Sequence, residues 1–339
     1  MKNIYDMTLD NLILYFDKIN QKPFKANQVF DWIYKKKITN FDEITNIKKE
    51  VLDILKKDFY FNNIEIKKIE SDKDVKKYLF KLEDDNLIEA VLMFHDYGNS
   101  LCISTQVGCN MGCTFCESGR LKKQRNLKTS EMVNQIMKIE EIENLRISHV
   151  VLMGIGEPFD NYDNVIDFIN IINSGKGLDI GARHITVSTS GIIPKIKEFI
   201  KDGKQVNLAV SLHAPNDELR SKIMPINKAY KLNELIDVLK KYIDYTNRRV
   251  TFEYVLLNGV NDKDENAREL ANLVRGMNCY INLIPYNETS NIIYKKSNNV
   301  LRFYDILKKE KINVTIRKEF GSKVSAACGQ LKSNYKEEN

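Results

Sequence analysis

Cys109-Asn110-Met111-Gly112-Cys113-Thr114-Phe115-Cys116 places three thiols inside eight residues, spaced C-x3-C-x2-C. A [4Fe–4S] cluster normally takes four cysteine thiolates, one per iron. Three thiolates leave one iron open to a small molecule. Structural zinc reads differently, as two separated C-x2-C or Cys/His pairs. No second pair exists here, and His95, His149, His184 and His213 are scattered singly. Six cysteines in 339 residues with 43% hydrophobic content also do not read as a disulfide scaffold. The triplet therefore points to an iron–sulfur centre with one open coordination position, with zinc as the alternative.

The length suits one large domain with a smaller appendage. The net charge is +6, compatible with a nucleic-acid partner without demanding one. The first ninety residues carry seventeen Lys/Arg and seventeen Asp/Glu, so the excess lies further on. Its densest run, Lys122-Lys123-Gln124-Arg125, follows the triplet and reads as a solvated loop or an RNA contact. The start, Met1-Lys2-Asn3-Ile4-Tyr5-Asp6, lacks the charged-then-apolar pattern of a secretory signal. No apolar run approaches the roughly 18 residues of a membrane span. Free cysteines and an oxygen-sensitive cluster favour a reducing cytoplasm.

Working outward from the triplet, the chain divides into four stretches. Residues 1–62 read as a small helical accessory domain. Leu9, Leu12, Ile13 and Phe16 recur at helical spacing, Ala26–Lys37 carries Val29, Phe30, Ile33 and Tyr34 on one face, and Val51, Leu52 and Leu55 open a third helix. Residues 63–95 form a β-meander linker, with strands at Ile64–Ile66 and Tyr78–Leu82 and turns at Ser71-Asp72 and Glu83-Asp84-Asp85. Residues 96–317 alternate strand and helix. The expected strands are Leu101–Gln106, His149–Met153, His184–Ser188, Val206–Leu212, Val250–Leu256 and Tyr280–Ile284. The expected helices include Thr129–Leu145, capped by Thr129, together with Asn233–Tyr245 and Asp264–Arg275. Six such strands predict an α/β fold, a parallel sheet closed part-way into a (β/α)6 barrel. A last helix (Leu301–Lys308) and strand (Ile312–Arg317) lead into a C-terminal segment, 318–339.

Active sites of parallel sheets sit at the carboxyl ends of the strands, and the remaining motifs fall there. Met153-Gly154-Ile155-Gly156-Glu157-Pro158 follows the second core strand. Its glycines admit close approach of a ligand, and its carboxylate accepts from an ammonium. Ser188-Thr189-Ser190-Gly191 and Ser211-Leu212-His213 end the third and fourth. Their hydroxyls suit a ribose or a carboxylate, and a helix-cap role fits them equally well in isolation. Two further cysteines stand apart: Cys102 on the first core strand, and Cys328 in Ala326-Ala327-Cys328-Gly329-Gln330-Leu331. Buried packing is the ordinary role of such residues, and it is the reading kept for Cys279. The thin Ala-Ala-Cys-Gly setting of Cys328 suits a sulfur that must be reached.

Taken together these motifs resemble the RlmN/Cfr family of radical S-adenosylmethionine (SAM) enzymes that methylate an adenine of 23S ribosomal RNA, and within it the RlmN branch. The resemblance covers nearly the whole chain. It rests on the stretch from Cys102 to Cys116, Arg125-Asn126-Leu127, Gly154–Pro158, Ser188–Gly191, Ser211–Asp217, Met224–Asn227, Asn282–Asn287 and Ala326–Leu331.

The resemblance implies roles position by position. Cys109, Cys113 and Cys116 would hold the cluster, and Gly156, Glu157, Ser188, Ser211, Leu212, His213 and Asn287 would line the SAM site. Cys328 would accept a methyl group from a first SAM. A second SAM would be cleaved to a 5′-deoxyadenosyl radical that removes hydrogen from that methyl, so two SAM are used per turnover. The methylene radical would add to adenine, Glu89 would take the ring proton, and Cys102 would release the RNA by forming a disulfide with Cys328. The chemistry suits its target, because a ring carbon between two nitrogens is a poor nucleophile and a carbon radical does not need it to be one. The implied partners are 23S rRNA, with tRNA as a second RNA substrate, and an electron donor such as flavodoxin or ferredoxin. No membrane partner is expected, and the protein is expected to be a monomer.

Two places depart from the family pattern. Glu117-Ser118-Gly119 follows the triplet where relatives carry small or hydroxyl residues, and Lys323-Val324-Ser325 stands where they carry an acidic Asp-Ile-Asp. Gly-Glu-Pro158 and His213-Ala-Pro215 favour methylation at C2, whereas Ile312–Arg317 and Phe320-Gly321 echo the enzymes acting at C8. A silent RNA-binding paralogue and a radical SAM enzyme acting on a peptide or small molecule are the rivals from other classes. The intact Cys102, Glu89 and Cys328 speak against the silent paralogue.

Overall fold

The computed structural model describes residues 1–289 and 292–318. Its frame is a sheet of ten strands whose order in space is their order in the chain. They are β1 (Glu65–Asp72), β2 (Val75–Lys81), β3 (Leu87–His95), β4 (Gly98–Cys102), β5 (Ile147–Leu152), β6 (Ile185–Thr189), β7 (Asn207–Ser211), β8 (Val250–Leu256), β9 (Cys279–Pro285) and β10 (Val314–Ile316). Neighbours from β1 to β4 run antiparallel. Neighbours from β4 to β10 run parallel.

Each parallel step needs a crossover, which the helices supply. They are α4 (Thr129–Glu143), α5 (Tyr162–Asn173), α6 (Ile193–Asp202), α7 (Asp217–Ile223), α8 (Leu232–Thr246), α9 (Asp264–Val274) and α10 (Val300–Lys309). Alternation along the strands separates two faces. Val150, Leu152, Ile185, Val187, Leu208, Val210, Phe252, Tyr254, Ile281 and Leu283 are buried on one of them, within the main apolar cluster. The other face carries a polar row, in which Ser211 pairs with Glu253, Glu253 with Asn282, and Asn282 with Thr315. Residues at the ends of strands β6 to β9 converge on one cavity, so the sheet is curved with its polar face inward. This is an open α/β barrel, with β10 as a short seventh parallel strand.

Ahead of the sheet, α1 (Leu9–Lys18), α2 (Pro23–Tyr34) and α3 (Lys49–Asp58) pack through Leu12, Phe16, Val29, Phe30, Ile33 and Leu55. Thr8 caps α1 by accepting from the Asn11 N–H at 3.2 Å. A parallel pairing of Lys2–Asn3 with Phe59–Tyr60 ties the two ends of this helical region together. Asp6 accepts from the Ser130 N–H at 2.8 Å, which fixes it to the start of α4.

The structure differs from the sequence reading in four details. The meander read as a linker also forms the antiparallel end of the barrel sheet, because β3 pairs directly with β4. Its first turn lies at Lys73–Asp74, two residues later than expected. β4 starts and stops early: after Cys102 the chain leaves the sheet, with the Ser104 N–H given to the Gln135 side chain at 2.9 Å and Gln106–Val107 paired instead with Arg125–Asn126. Thr129 does not cap α4. Its hydroxyl donates to the Asn164 carbonyl at 3.1 Å, while Glu131 reaches back to the Lys128 N–H at 2.8 Å.

Candidate active site

The three triplet cysteines face one cavity at the carboxyl ends of the parallel strands. Gly108 and Gly112 take positive φ, +74° and +65°, which bends the loop back on itself. Cys109 donates its N–H to the Leu121 carbonyl at 2.9 Å, and Cys116 to Cys113 at 3.2 Å. A Cβ on Gly119 would stand 2.7 Å from the Cys113 carbonyl oxygen, so only glycine lets the chain close over the second cysteine. Thr114 anchors the loop to the end of α7 through its N–H to the Ile223 carbonyl, 3.0 Å.

Burial pushes the Cys109 thiol up to about 12 and raises Cys113 as well, so both sulfurs are neutral until something electropositive binds them. The three thiols line one cavity with no histidine pair or fourth cysteine among its described lining residues, a donor set that suits a cluster taking one thiolate per iron. The donor set therefore fits a [4Fe–4S] cluster with one iron not held by these sulfurs.

Opposite the loop, the segment after β5 presses against the chain that leaves β4. A Cβ on Gly154 would lie 2.5 Å from the Ile103 carbonyl, and one on Gly156 would lie 2.7 Å from the Gln106 Cβ. Gln106 accepts the Glu157 N–H at 2.9 Å. Glu157 is 3% exposed and accepts two backbone N–H groups, from Phe159 at 3.0 Å and Ser190 at 2.7 Å. Burial raises its carboxyl and the two donors oppose that rise. A buried carboxylate at a strand end, oriented from behind, is suited to receive an ammonium group.

His213 follows β7 with φ +56°. Its Nδ1 accepts the Val255 N–H at 3.0 Å, and its carbonyl accepts from the Asn261 amide at 2.7 Å. Burial first, and the Arg220 charge second, push the imidazole down to about 3. The ring is therefore neutral, and with Nδ1 accepting, its proton sits on Nε2. Phe115 of the triplet packs edge-on against it at 4.8 Å.

Of the residues expected to serve SAM, Gly156, Glu157, Ser188, Ser211 and His213 line the cavity with the thiols. Leu212 does not: its side chain joins the core, and its carbonyl accepts from Arg220 at 3.2 Å. Asn287 lies two residues beyond β9, outside the described lining, with its amide 3.5 Å from the Pro285 carbonyl. Glu89 and Cys102 lie to one side, on the inner face of β3 and β4. Ser104 joins them to the cavity, donating to the Glu89 carbonyl at 2.6 Å and accepting the Ile155 N–H at 3.0 Å. Cys102 sits in a small apolar group with Val75, Val91, Met93 and Ile155. Among the described residues no disulfide joins any two of the five cysteines, and the expected partner of Cys102 is not one of them. Cys328, Lys323-Val324-Ser325 and Phe320-Gly321 lie outside the described residues.

Arg220 was not legible as a site residue. It is fully buried and donates to the carbonyls of Ser190 (2.6 Å), Ser211 (3.1 Å) and Leu212, and to Asn227 Oδ1 (3.0 Å). One side chain thus stitches the ends of β6 and β7 beneath the cavity. The basic run also reads differently in three dimensions. Arg125 forks to Glu131 and to Asp84, and Lys123 pairs with Asp160 at 2.8 Å, so two of its three cations are struts.

Comparison with known proteins matches two family models. Residues 103–271 match the radical SAM superfamily, and residues 2–60 match the ribosomal RNA large subunit methyltransferase N-terminal domain. The chain is 52% identical over 334 residues to a probable dual-specificity RNA methyltransferase RlmN of Acholeplasma laidlawii, covering 97% of this chain and 98% of that one. A protein of the same name from Streptococcus thermophilus is 53% identical over 343 residues, covering 98% and 88%. Among solved structures, a radical SAM methyltransferase from Sphaerobacter thermophilus superposes with a TM-score of 0.91 at 39% identity, over 98% of this chain and 100% of that one.

Proposed function

Because the chain belongs to the RlmN family of radical SAM RNA methyltransferases, we propose that it methylates C2 of an adenosine in 23S ribosomal RNA and acts on tRNA as well. The observation that carries this reading is the shared cavity, where three thiols meet Gly156, Glu157, Ser188, Ser211 and His213. The family's cofactors are a [4Fe–4S] cluster and SAM, which when bound supply the carbon-radical chemistry that an electron-poor ring carbon requires.

The chain's own residues do the rest. Cys109, Cys113 and Cys116 would hold the cluster. Glu157, oriented by the Phe159 and Ser190 N–H groups, receives the ammonium of SAM. Ser188, Ser211, Asn287 and the backbone around Leu212 and neutral His213 bind the remainder of SAM. Cys328 bears the methyl group as a thioether, and Glu89 takes the proton from the ring carbon. The Cys102 thiolate then attacks the Cys328 sulfur. The bond from that sulfur to the RNA-borne methylene carbon breaks, and the carbon keeps the electron pair and takes a proton to complete the methyl group. The two sulfurs are left oxidised as a transient disulfide. The target adenine leaves its stack to enter the barrel mouth. Residues 1–62 form an accessory RNA-contacting domain. A flavodoxin or ferredoxin reduces the cluster, and the protein works as a cytoplasmic monomer.

The test is anaerobic turnover of the reconstituted protein with SAM, a reductant and unmodified 23S rRNA, followed by nucleoside mass spectrometry. 2-Methyladenosine is the expected product. 8-Methyladenosine would replace this reading with modification at C8. No methylated adenosine, despite an intact cluster, would point to a different substrate.

A further inference from the structure

Inward along the antiparallel wall, the side chains form an alternating row of charges. Lys77 of β2 is 9% exposed. Its Nζ lies 2.7 Å from Glu70 Oε2 on β1 and 3.3 Å from Glu89 Oε1 on β3. Lys68, on β1 and half exposed, closes on the other oxygen of Glu70 at 2.8 Å. The row Lys68–Glu70–Lys77–Glu89 thus runs from solvent to a carboxylate that is 4% exposed. Register keeps it on one face: Glu70 pairs with Lys77, and Glu89 pairs with Leu79, two residues along from Lys77. The same face carries Cys102, opposite Val91.

We propose that Lys77 is a positioning residue for Glu89, holding its carboxylate ionised and oriented on the inner face, and that Glu70 tunes this effect by competing for the same ammonium. The inference rests on the reading of Glu89 as the proton acceptor. A carboxyl group taken out of water tends to keep its proton, and a protonated acid cannot serve as a base. A neighbouring ammonium reverses that tendency. The distances apportion the cation: its tighter contact goes to Glu70, so Glu89 receives charge without the closest hydrogen bond. The ion pairs bring Lys77, Glu70 and Lys68 of β1 and β2 into the row that ends at Glu89, and the Cys102 thiol of β4 lies on the same face.

The two neighbours therefore push Glu89 in opposite directions. Loss of Lys77 raises the pH below which Glu89 is protonated, and loss of the Glu70 charge lowers it. The experiment is single-turnover RNA methylation by the reconstituted full chain across the acid limb, for Lys77→Met, Lys77→Arg, Glu70→Gln and Glu89→Gln. RNA affinity and thermal midpoint are measured alongside. Lys77→Met is expected to move the acid limb up by about one pH unit or more, roughly a tenfold loss of rate on that limb that narrows towards high pH. Lys77→Arg restores most of the profile, and Glu70→Gln moves the limb down. Parallel profiles for Lys77→Met and the wild type, or shifts of the same sign for Lys77→Met and Glu70→Gln, would overturn the inference. If Lys77→Met does not fold, the downward shift in Glu70→Gln decides alone, and an unmoved limb there overturns the proposal. Full activity of Glu89→Gln would instead remove the reading of Glu89 as the base, whatever the Lys77 variants do.

Discussion

The two walls of the barrel hold their polar side chains by different means. On the parallel wall, Glu157, His213 and Arg220 are fixed almost wholly by neutral partners, namely backbone N–H groups, carbonyls and the Asn227 amide. On the antiparallel wall, Glu89, Lys77 and Glu70 are fixed by opposite charges, as is Asp84 in the β2–β3 turn by Arg125, which reaches it from outside the sheet. Neutral partners set geometry and respond little to salt. Charged partners also set protonation state, and near the surface they weaken as ions screen them. The first arrangement suits residues that must keep one shape around a cofactor. The second suits a residue whose proton must come and go.

The largest effect that would test this contrast is at Arg220. Arg220→Met leaves three carbonyls and one amide oxygen without their buried donor, so we expect a loss of about 3–5 kcal/mol in unfolding free energy. Denaturant titration at low and high salt checks it, and the loss is expected to be the same in both. A loss that shrinks with salt would mean that Arg220 acts through its charge, and the contrast between the walls would fail.

His213 comes next. Its folded-state value of about 3 lies below the ordinary imidazole value of 6.5. The unfolded chain therefore binds a proton that the folded chain refuses. Stability is intact above about pH 6.5 and falls as the pH drops towards the folded value. Between pH 7 and pH 5 the expected loss is about 1–2 kcal/mol. Comparing urea midpoints of the wild type and His213→Gln at both pH values isolates it, since the variant should lack this part of the acid sensitivity.

The smallest effect belongs to Arg125, which reaches the β2–β3 turn of the antiparallel wall from outside the sheet. Arg125 is 28% exposed at its side chain and forks to two carboxylates. Arg125→Ala is expected to cost about 1 kcal/mol at low ionic strength and less than half of that at about 1 M salt. A thermal melt series in salt measures it. A salt-independent loss would place Arg125 with the neutral-partner group and blur the distinction.

Much of this was legible in the sequence, for identifiable reasons. The triplet, Gly154–Pro158 and the Ser-rich strand ends are local runs whose spacing already fixes what they can touch. Strand and helix positions followed from apolar alternation, since the outward faces of β5 to β9 are nearly all Val, Ile, Leu and Phe. What stayed hidden depends on partners far away in sequence. Arg220 sits in Asp217-Glu-Leu-Arg-Ser-Lys-Ile223, which reads as an ordinary surface helix until β6 and β7 are laid beside it. Lys77 alternates like any solvent-facing strand residue, and only the strand register sets Glu70 opposite it and Glu89 diagonal to it. Arg125 in a run of cations looks like a free basic patch, and the carboxylate from Asp84, forty-one residues earlier, is invisible to local reading. The early end of β4 was missed because Ser104 and Gln106 find side-chain partners on α4 and beyond β5, which no periodicity encodes.

The identity of spatial order and chain order among the ten strands bears on how the molecule is made. Every new strand finds its edge already present, left by the strand synthesised just before it. No pairing has to wait for a distant segment, so each loop closure spans a single unit and remains entropically cheap. Growth from the N-terminus therefore builds the antiparallel wall with Lys77 and Glu89 first. The cysteine loop follows, and Arg317 is the last of the described cavity-lining residues to be made. A chain still emerging thus carries its three thiols on an unfinished barrel, and the pocket around them closes only once the strand before Arg317 has been made.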